Sequence, residues 1–173
     1  MDEKSIWLEL QALQHRVALL EAGGNRSEGE DGLSADGGDP RFWLLAALRK
    51  RVETPGAVAF GGTVDLPDGR HYEWQWGEAV EQRLAADWSE AAAPLEALGH
   101  PVRLAILHSV LEGHSDIASL AALPQLGTRG QLYHHLKVLE SGGWIQPQRR
   151  GVYGVPGERV VPLLTILAAA TGG

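Results

Sequence analysis

Residues 128–155 decide the fold and read TRGQLYHHLKVLESGGWIQPQRRGVYGV. Thr128 is a residue type that favours a helix N-cap, and the glycine pair at 142–143 is a helix stop signal. Between these two signals, three leucines lie within about 60° of one another on a helical wheel, and together they define an apolar stripe: Leu132, Leu136 and Leu139. The sequence therefore predicts a helix over residues 128–140 with one buried face.

The flanking residues complete a recognisable order of elements. Before this helix, His100-Pro101 opens one helix, residues 116–122 form a short second helix, and residues 123–127 break it. After it, residues 144–148 and 152–155 are predicted as two strands joined by a basic tip. This order is typical of a winged helix-turn-helix, which we predict for residues 90–173. The predicted fold class is mainly α with small β-hairpins (α+β).

The outward face of the predicted recognition helix suits DNA. It contains hydrogen-bond donors, an aromatic ring and a glycine but no carboxylate, which fits a major groove read by amides and cations. The hairpin tip adds two arginines that could reach the phosphate backbone. The predicted DNA-binding residues are Thr128, Arg129, Gly130, Gln131, Tyr133, His134, Lys137, Arg149 and Arg150. The alternative interpretation is a winged helix that contacts another protein.

Two stretches resemble a known family. LGHPVRLAIL at residues 98–107 and QLYHHLKVLESGGWI at residues 131–145 are similar to the ArsR/SmtB-type bacterial repressors, over about residues 90–170. The resemblance implies a dimeric DNA-binding repressor whose first and last helices form the dimer interface. It also implies operator contacts at Arg129, Gly130, Tyr133 and His134. The final predicted helix, residues 158–170, is apolar nearly all round, and its predicted dimerisation residues are Val160, Leu163, Leu164 and Leu167.

Metal sensing, the best-known trait of that family, does not carry over to this chain. There is no cysteine, so thiolate sites are excluded, and Glu158 is the single candidate ligand in residues 158–173. His134 and His135 point about 100° apart on a helix. We therefore predict no metal and no cofactor, and we interpret His135 as a partly buried structural histidine and His100 as a turn residue before its helix. Nucleotide-loop, zinc-protease and serine-hydrolase motifs are also missing, so we predict that the chain is not an enzyme.

The N-terminal part has a different character. Residues 4–22 carry apolar side chains at alternating spacings of four and three, which predicts a coiled-coil-like oligomerisation helix within residues 1–22 through Ile6, Leu10, Leu13, Val17 and Leu20. The alternative is an amphipathic helix that packs on its own domain. Residues 23–39 are rich in glycine and acidic residues and predict a disordered linker.

Residues 40–89 predict an accessory region. A helix at 41–52 is followed by strands at 57–66 and 70–76 around a Pro-Asp-Gly turn, and then by a helix from Glu78 through Trp88. The second strand places three aromatic side chains on one face: Tyr72, Trp74 and Trp76. We favour an interpretation in which helices cover this face as core. The alternative is an aromatic-walled pocket for an uncharged or cationic, partly apolar effector, with Glu73 and Glu78 nearby.

Composition limits the remaining classes. The chain has 173 residues, 44% of them apolar, and a net charge of −7. Residues 1–94 hold nine Lys/Arg against 17 Asp/Glu, whereas residues 95–173 hold six against five. The lack of cysteine, of a secretory signal and of a long apolar run predicts a cytoplasmic protein without a membrane segment.

Together these features predict a sequence-specific transcriptional regulator, in the form of a repressor, that binds operator DNA as a dimer or higher oligomer. The expected partners are double-stranded DNA and a second copy of the chain, with a small-molecule effector as a further candidate. The alternative function is an oligomeric protein-interaction scaffold.

Overall fold

The structure is a computed structural model that describes residues 42–172. It divides into two units at the boundary between Arg51 and Val52. The first contains helix α1 (Trp43–Arg51), which ends in a basic turn. The predicted oligomerisation helix at 1–22 and the predicted linker at 23–39 lie outside the described residues. That the helix at 41–52 covers the aromatic side chains of the second strand stays a prediction.

The second unit begins with an antiparallel hairpin, β1 (Ala57–Asp65) and β2 (His71–Ala79). The predicted turn is confirmed, since Leu66 N donates to Arg70 O at 2.9 Å and Gly69 has a φ of 84°. The prediction that a helix starts at Glu78 is wrong. Glu78 pairs with Val58 across the hairpin, so the strand ends only at Ala79.

The next elements are short: α2 (Val80–Ala85), a 3-10 turn (Trp88–Ala91) and α3 (Ala92–Leu98). The prediction of one continuous helix through Trp88 is therefore wrong. The carboxylate of Asp87 accepts a hydrogen bond from Ser89 N at 2.9 Å and so starts a new turn. The Trp88 indole donates to Arg83 O at 2.9 Å, which folds the chain back on α2.

The remaining elements follow the predicted order: α4 (Pro101–Leu111), α5 (Ile117–Ala121), α6 (Arg129–Ser141), β3 (Gln146–Arg149), β4 (Val152–Gly154) and α7 (Gly157–Thr171). One boundary prediction is wrong, because the third strand does not include Trp144 and Ile145. These side chains are 1% and 2% exposed, and the Trp144 indole donates to Pro94 O at 2.8 Å. They belong to the core because burial of two large apolar groups outweighs a longer hairpin.

The core lies among α3, α4, α5, α6 and α7. The predicted leucine stripe of α6 is confirmed, since its three members are at most 1% exposed. Their fully buried partners include Ile106, Leu107, Leu120, Trp144, Val160 and Leu163. Within residues 42–172 the architecture is α+β, with helices around a core and two antiparallel hairpins.

The β1–β2 hairpin contacts α7 through its aromatic face. Gly62 and Tyr72 lie on that face, and Cβ atoms built on Gly62 and Gly157 would come within 3.3 Å of Val161 Cγ1 and 3.0 Å of Tyr72 Cε1. The side chain of Tyr72 is partly buried against the core. Trp74 and Trp76, by contrast, are 37% and 46% exposed. The interpretation of the aromatics as covered core therefore agrees with the partly buried Tyr72, whereas α7 leaves the two tryptophans exposed, and their cover by the helix at 41–52 stays a prediction.

None of the helices within residues 42–172 combines the length and the apolar character that a membrane-spanning helix needs.

Candidate nucleic-acid interface

Helix α6 has two faces of opposite character. Its leucine stripe is buried, whereas every predicted contact residue on the other face is exposed: Arg129, Gly130, Gln131, Tyr133, His134 and Lys137. The ring of Tyr133 is 53% exposed, which is high for an aromatic side chain. The helix therefore presents a ridge of donors and one ring to solvent.

The start of α6 is fixed by a capping box. Thr128 Oγ1 accepts a hydrogen bond from Gln131 N at 3.2 Å, and Gln131 Oε1 accepts from the backbone N–H groups of Thr128 and Gly127 at 3.0 and 3.1 Å. Thr128 and Gln131 were both predicted to contact DNA, and the structure gives them a local role in the cap. The T-x-x-Q spacing is the sequence signal for this reciprocal bonding, and our contact prediction did not use it.

The second hairpin is joined to the segment before α5. Asp116 caps α5 by accepting from Ala118 N at 2.9 Å and Ser119 N at 3.0 Å. In addition, Ile117 N donates to Gly151 O at 3.0 Å and Tyr153 N donates to Ser115 O at 3.0 Å. Sequence reasoning missed this connection because two bonds between segments so far apart leave no periodic signal. The hairpin is thus held against the start of α5 by backbone bonds on its outer edge.

The tip of this hairpin is basic and exposed. Gly151 has a φ of 72°, a conformation that favours glycine, and it turns the chain directly after Arg149 and Arg150. Four exposed cations lie on α6 and this tip: Arg129, Lys137, Arg149 and Arg150. None of the four forms an ion pair with a carboxylate of residues 42–172. Their charge is therefore available to an anionic partner.

A cluster of basic side chains lies on the flank of α6 that faces α4. The His135 ring is 4.8 Å from the His100 ring and 5.6 Å from the His134 ring, measured between centroids. Burial is the main cause that lowers the pKa of His135, and the positive charge of His100, His134 and Arg103 lowers it further. The interpretation of His135 as a partly buried histidine is confirmed. His100 is the N-cap residue of α4, and its Nδ1 accepts a hydrogen bond from Val102 N at 3.1 Å.

A groove of about 420 Å³ opens between α3 and α6, and its lining includes Glu96, His134, Lys137 and Ser141. Within residues 42–172, no group of three or more His, Cys, Asp or Glu side chains is arranged to hold a metal ion.

The predicted dimerisation residues of α7 fall into two sets. Val160 and Leu163 are 0% exposed and belong to the core of their own chain. Leu164 and Leu167 are partly exposed. Only the second pair offers surface that another copy could contact.

The three predicted effector residues differ in their surroundings. The Tyr72 hydroxyl accepts from Arg70 Nη1 at 3.2 Å, while the two tryptophans extend towards solvent. The nearby carboxylates are engaged, since Glu73 is 3.3 Å from His71 Nε2 and Glu78 pairs with Arg83. Hydrogen bonds to Asp65 and Glu73 raise the pKa of His71. A cation bound near these carboxylates would therefore have to compete with Arg83 for Glu78 and with His71 for Glu73.

Comparison with known proteins gives no match, either to a family model or to a curated protein.

Proposed function

We propose that residues 90–173 form a winged helix-turn-helix of the ArsR type that binds operator DNA, and that the chain acts as a transcriptional repressor in the cytoplasm. One observation carries the proposal. The outward face of α6 and the tip of the second hairpin expose four cations that pair with no carboxylate of the described residues. Such a surface is suited to phosphates, because DNA affinity depends first on neutralising its backbone charge.

The two parts of this surface would make different contacts. Helix α6 is the element that enters the major groove, where Tyr133, His134 and Lys137 reach base edges. Arg129, in the first turn of α6, contacts phosphate there together with the N-terminal backbone of the helix. Arg149 and Arg150 contact the adjacent backbone and therefore position the protein without reading sequence.

The proposed regulator works as a dimer or higher oligomer. Leu164 and Leu167 of α7 supply apolar surface for a second copy, since they are the predicted dimerisation residues of that helix that remain partly exposed. A dimer presents two recognition helices to two half-sites, which raises both affinity and specificity. A small-molecule effector remains a candidate partner of the exposed tryptophans.

A salt titration of DNA binding tests the proposal. Fluorescence anisotropy would compare a duplex from upstream of the protein's own gene with a shuffled duplex, for wild type and for a variant with both Arg149→Ala and Arg150→Ala. We expect the variant to bind both duplexes more weakly and by similar factors. The slope of log affinity against log salt should fall by roughly one unit for each phosphate that the variant no longer neutralises.

Two further variants sharpen the result. Arg83→Ala is the matched control, because Arg83 is an exposed cation already paired with Glu78, and it should bind as wild type does. Tyr133→Ala should reduce discrimination between the two duplexes by about 1–3 kcal/mol, the usual value of a base contact. Wild type that binds neither duplex, or binds both equally at every salt concentration, would refute sequence-specific DNA binding.

A further inference from the structure

The basic cluster behind the recognition helix lies where α6 meets the N-terminus of α4. It comprises His135 on α6 and His100 and Arg103 on α4, with His134 beside it. Arg103 is 9% exposed and is held in place by hydrogen bonds to backbone carbonyls at both Nε and Nη2. A fixed positive charge therefore acts on the ring of His135.

We propose that this cluster is a proton switch: protonation of His135 between His100 and Arg103 drives α6 away from the N-terminus of α4 and releases the protein from DNA. The inference rests on the proposed function, since it concerns regulation of the same recognition helix. It requires no ligand other than the proton.

The lack of a hydrogen-bond acceptor disfavours the protonated form of His135. Its Nδ1 atom is buried and has no hydrogen-bond partner among the described residues. An imidazolium carries a proton on both ring nitrogens. Protonation at Nδ1 would therefore leave a charged donor buried and unsatisfied, which is costly in a packed interior.

The surrounding charges oppose it as well. From α4 the groups that act on His135 are His100 and Arg103, and from α6 itself it is His134, with Lys137 further along the same helix. From α3 the nearby ionisable residue is Glu96, which meets the cluster through its backbone carbonyl, an acceptor for Arg103 Nη2 at 2.6 Å. The charges that act on the ring are thus all positive, and moving α6 outward relieves their repulsion.

His100 is held beside the ring of His135. Its Nδ1 accepts the hydrogen bond from Val102 N that caps α4, at 3.1 Å, and the two ring centroids are 4.8 Å apart. A positive charge gained by His135 would therefore lie next to the N-terminus of α4, where the helix dipole is also positive.

The sign of the pH dependence follows from these contacts. Because the pKa of His135 is lowered in the folded protein, the unfolded chain binds more protons below its own value of about 6.5. The stabilising effect of the neutral ring is complete above that value and is lost as the pH falls below it. Affinity for DNA should therefore drop on acidification. Simple electrostatics predicts the reverse, since exposed histidines that gain charge strengthen phosphate binding.

The first test measures DNA affinity by anisotropy at about pH 7.5 and about pH 5.5, a range in which histidine changes charge, at constant ionic strength. We expect wild type to bind at least about fivefold more weakly at the lower pH, the small end of ordinary coupling between sites. His135→Gln should lose most of this difference. His108→Gln is the matched control, because His108 is a 79% exposed histidine beyond the cluster on α4, and it should keep the wild-type dependence.

A second variant tests the switch if His135→Gln does not fold. His100→Asp keeps an N-cap residue type and brings a carboxylate to the cluster, so it should retain DNA affinity at about pH 5.5. Nuclear Overhauser contacts between α4 and α6, recorded without DNA, should weaken at the lower pH in wild type and persist in His100→Asp.

The outcomes separate the two proposals. Tighter DNA binding by wild type at the lower pH, or equal pH dependence in wild type and both cluster variants, would overturn the switch. Wild type that binds no duplex at either pH, while its contacts between α4 and α6 still weaken at the lower pH, would support the proton-linked movement and overturn the DNA-binding function instead.

Discussion

Arg103 is a buried cation with two short hydrogen bonds and no carboxylate partner among the described residues. Its Nε donates to Ala97 O and its Nη2 donates to Glu96 O, both at 2.6 Å. These carbonyls belong to the last turn of α3, where the carbonyl groups have no N–H partner in a following helical turn. Glu96 O also accepts from Gly99 N at 3.1 Å. A cation at that end also complements the helix dipole. The side chain therefore closes α3 and fastens it to α4.

Arg103→Met should destabilise the protein strongly. Methionine keeps much of the apolar stem but removes both side-chain hydrogen bonds, so that Ala97 O loses the bond from Arg103 and Glu96 O keeps only the bond from Gly99 N. We expect a loss of about 1–3 kcal/mol in the free energy of unfolding. Urea denaturation followed by circular dichroism would measure it. Arg83→Met is the control, because exposed ion pairs contribute little. Equal midpoints for the two variants would mean that Arg103 does not hold α3 in place.

The roles of some residues could be predicted from the sequence, and the roles of others could not. The leucine stripe of α6 and the N-cap at Thr128 were predictable, because helical spacing and residue type are local signals. Arg103 and the close approach of His100 to His135 were not. Their partners lie on other elements, and only the tertiary packing brings them together.

At the scale of elements, α6 owes its starting point to reciprocal bonds between Thr128 and Gln131. Gln131→Ala should break the bonds that Gln131 Oε1 accepts and reduce stability by about 0.5–2 kcal/mol, as loss of a cap does. DNA affinity should fall modestly while discrimination between duplexes stays unchanged, because the cap positions the helix without reading bases. Chemical denaturation and anisotropy would measure the two effects.

Gln131→Glu is the informative companion variant. A carboxylate can accept the same backbone N–H groups, so stability should return to the wild-type value. A loss of discrimination in Gln131→Ala, without loss of stability, would show instead that Gln131 contacts bases directly.

The element predictions were right from α4 to α7, apart from the start of β3, and wrong between β2 and α3, for a physical reason. Val80, Leu84 and Trp88 have helical spacing, and that spacing predicted one long amphipathic helix. In the structure Leu84 and Trp88 are 66% and 64% exposed. Periodicity identifies a helix when its apolar face is buried, and here no core lies beneath that face to extend the helix.

For the whole molecule, the testable expectation concerns assembly. Deletion of residues 1–22, where the heptad pattern predicts self-association, should lower the mass of the assembly or its cooperativity on DNA and leave single-site affinity nearly intact. Light scattering over a range of concentrations would measure the mass. Leu10→Asp in the full chain is a control that keeps the length and should act like the deletion. An unchanged mass in both would refute association through this segment.

Helix α7 is in contact on several sides at once. Val160 and Leu163 point into the core, Val161 lies against Gly62 of the first hairpin, and Leu164 and Leu167 remain partly open. A compound that shifts this hairpin and a second copy that binds the open side would therefore act on the same helix, and their binding free energies would be linked. Such linkage is reciprocal, so a compound that favours association is itself bound more tightly by the associated form. The response of the cell would then depend on two quantities, the concentration of the compound and the concentration of the protein.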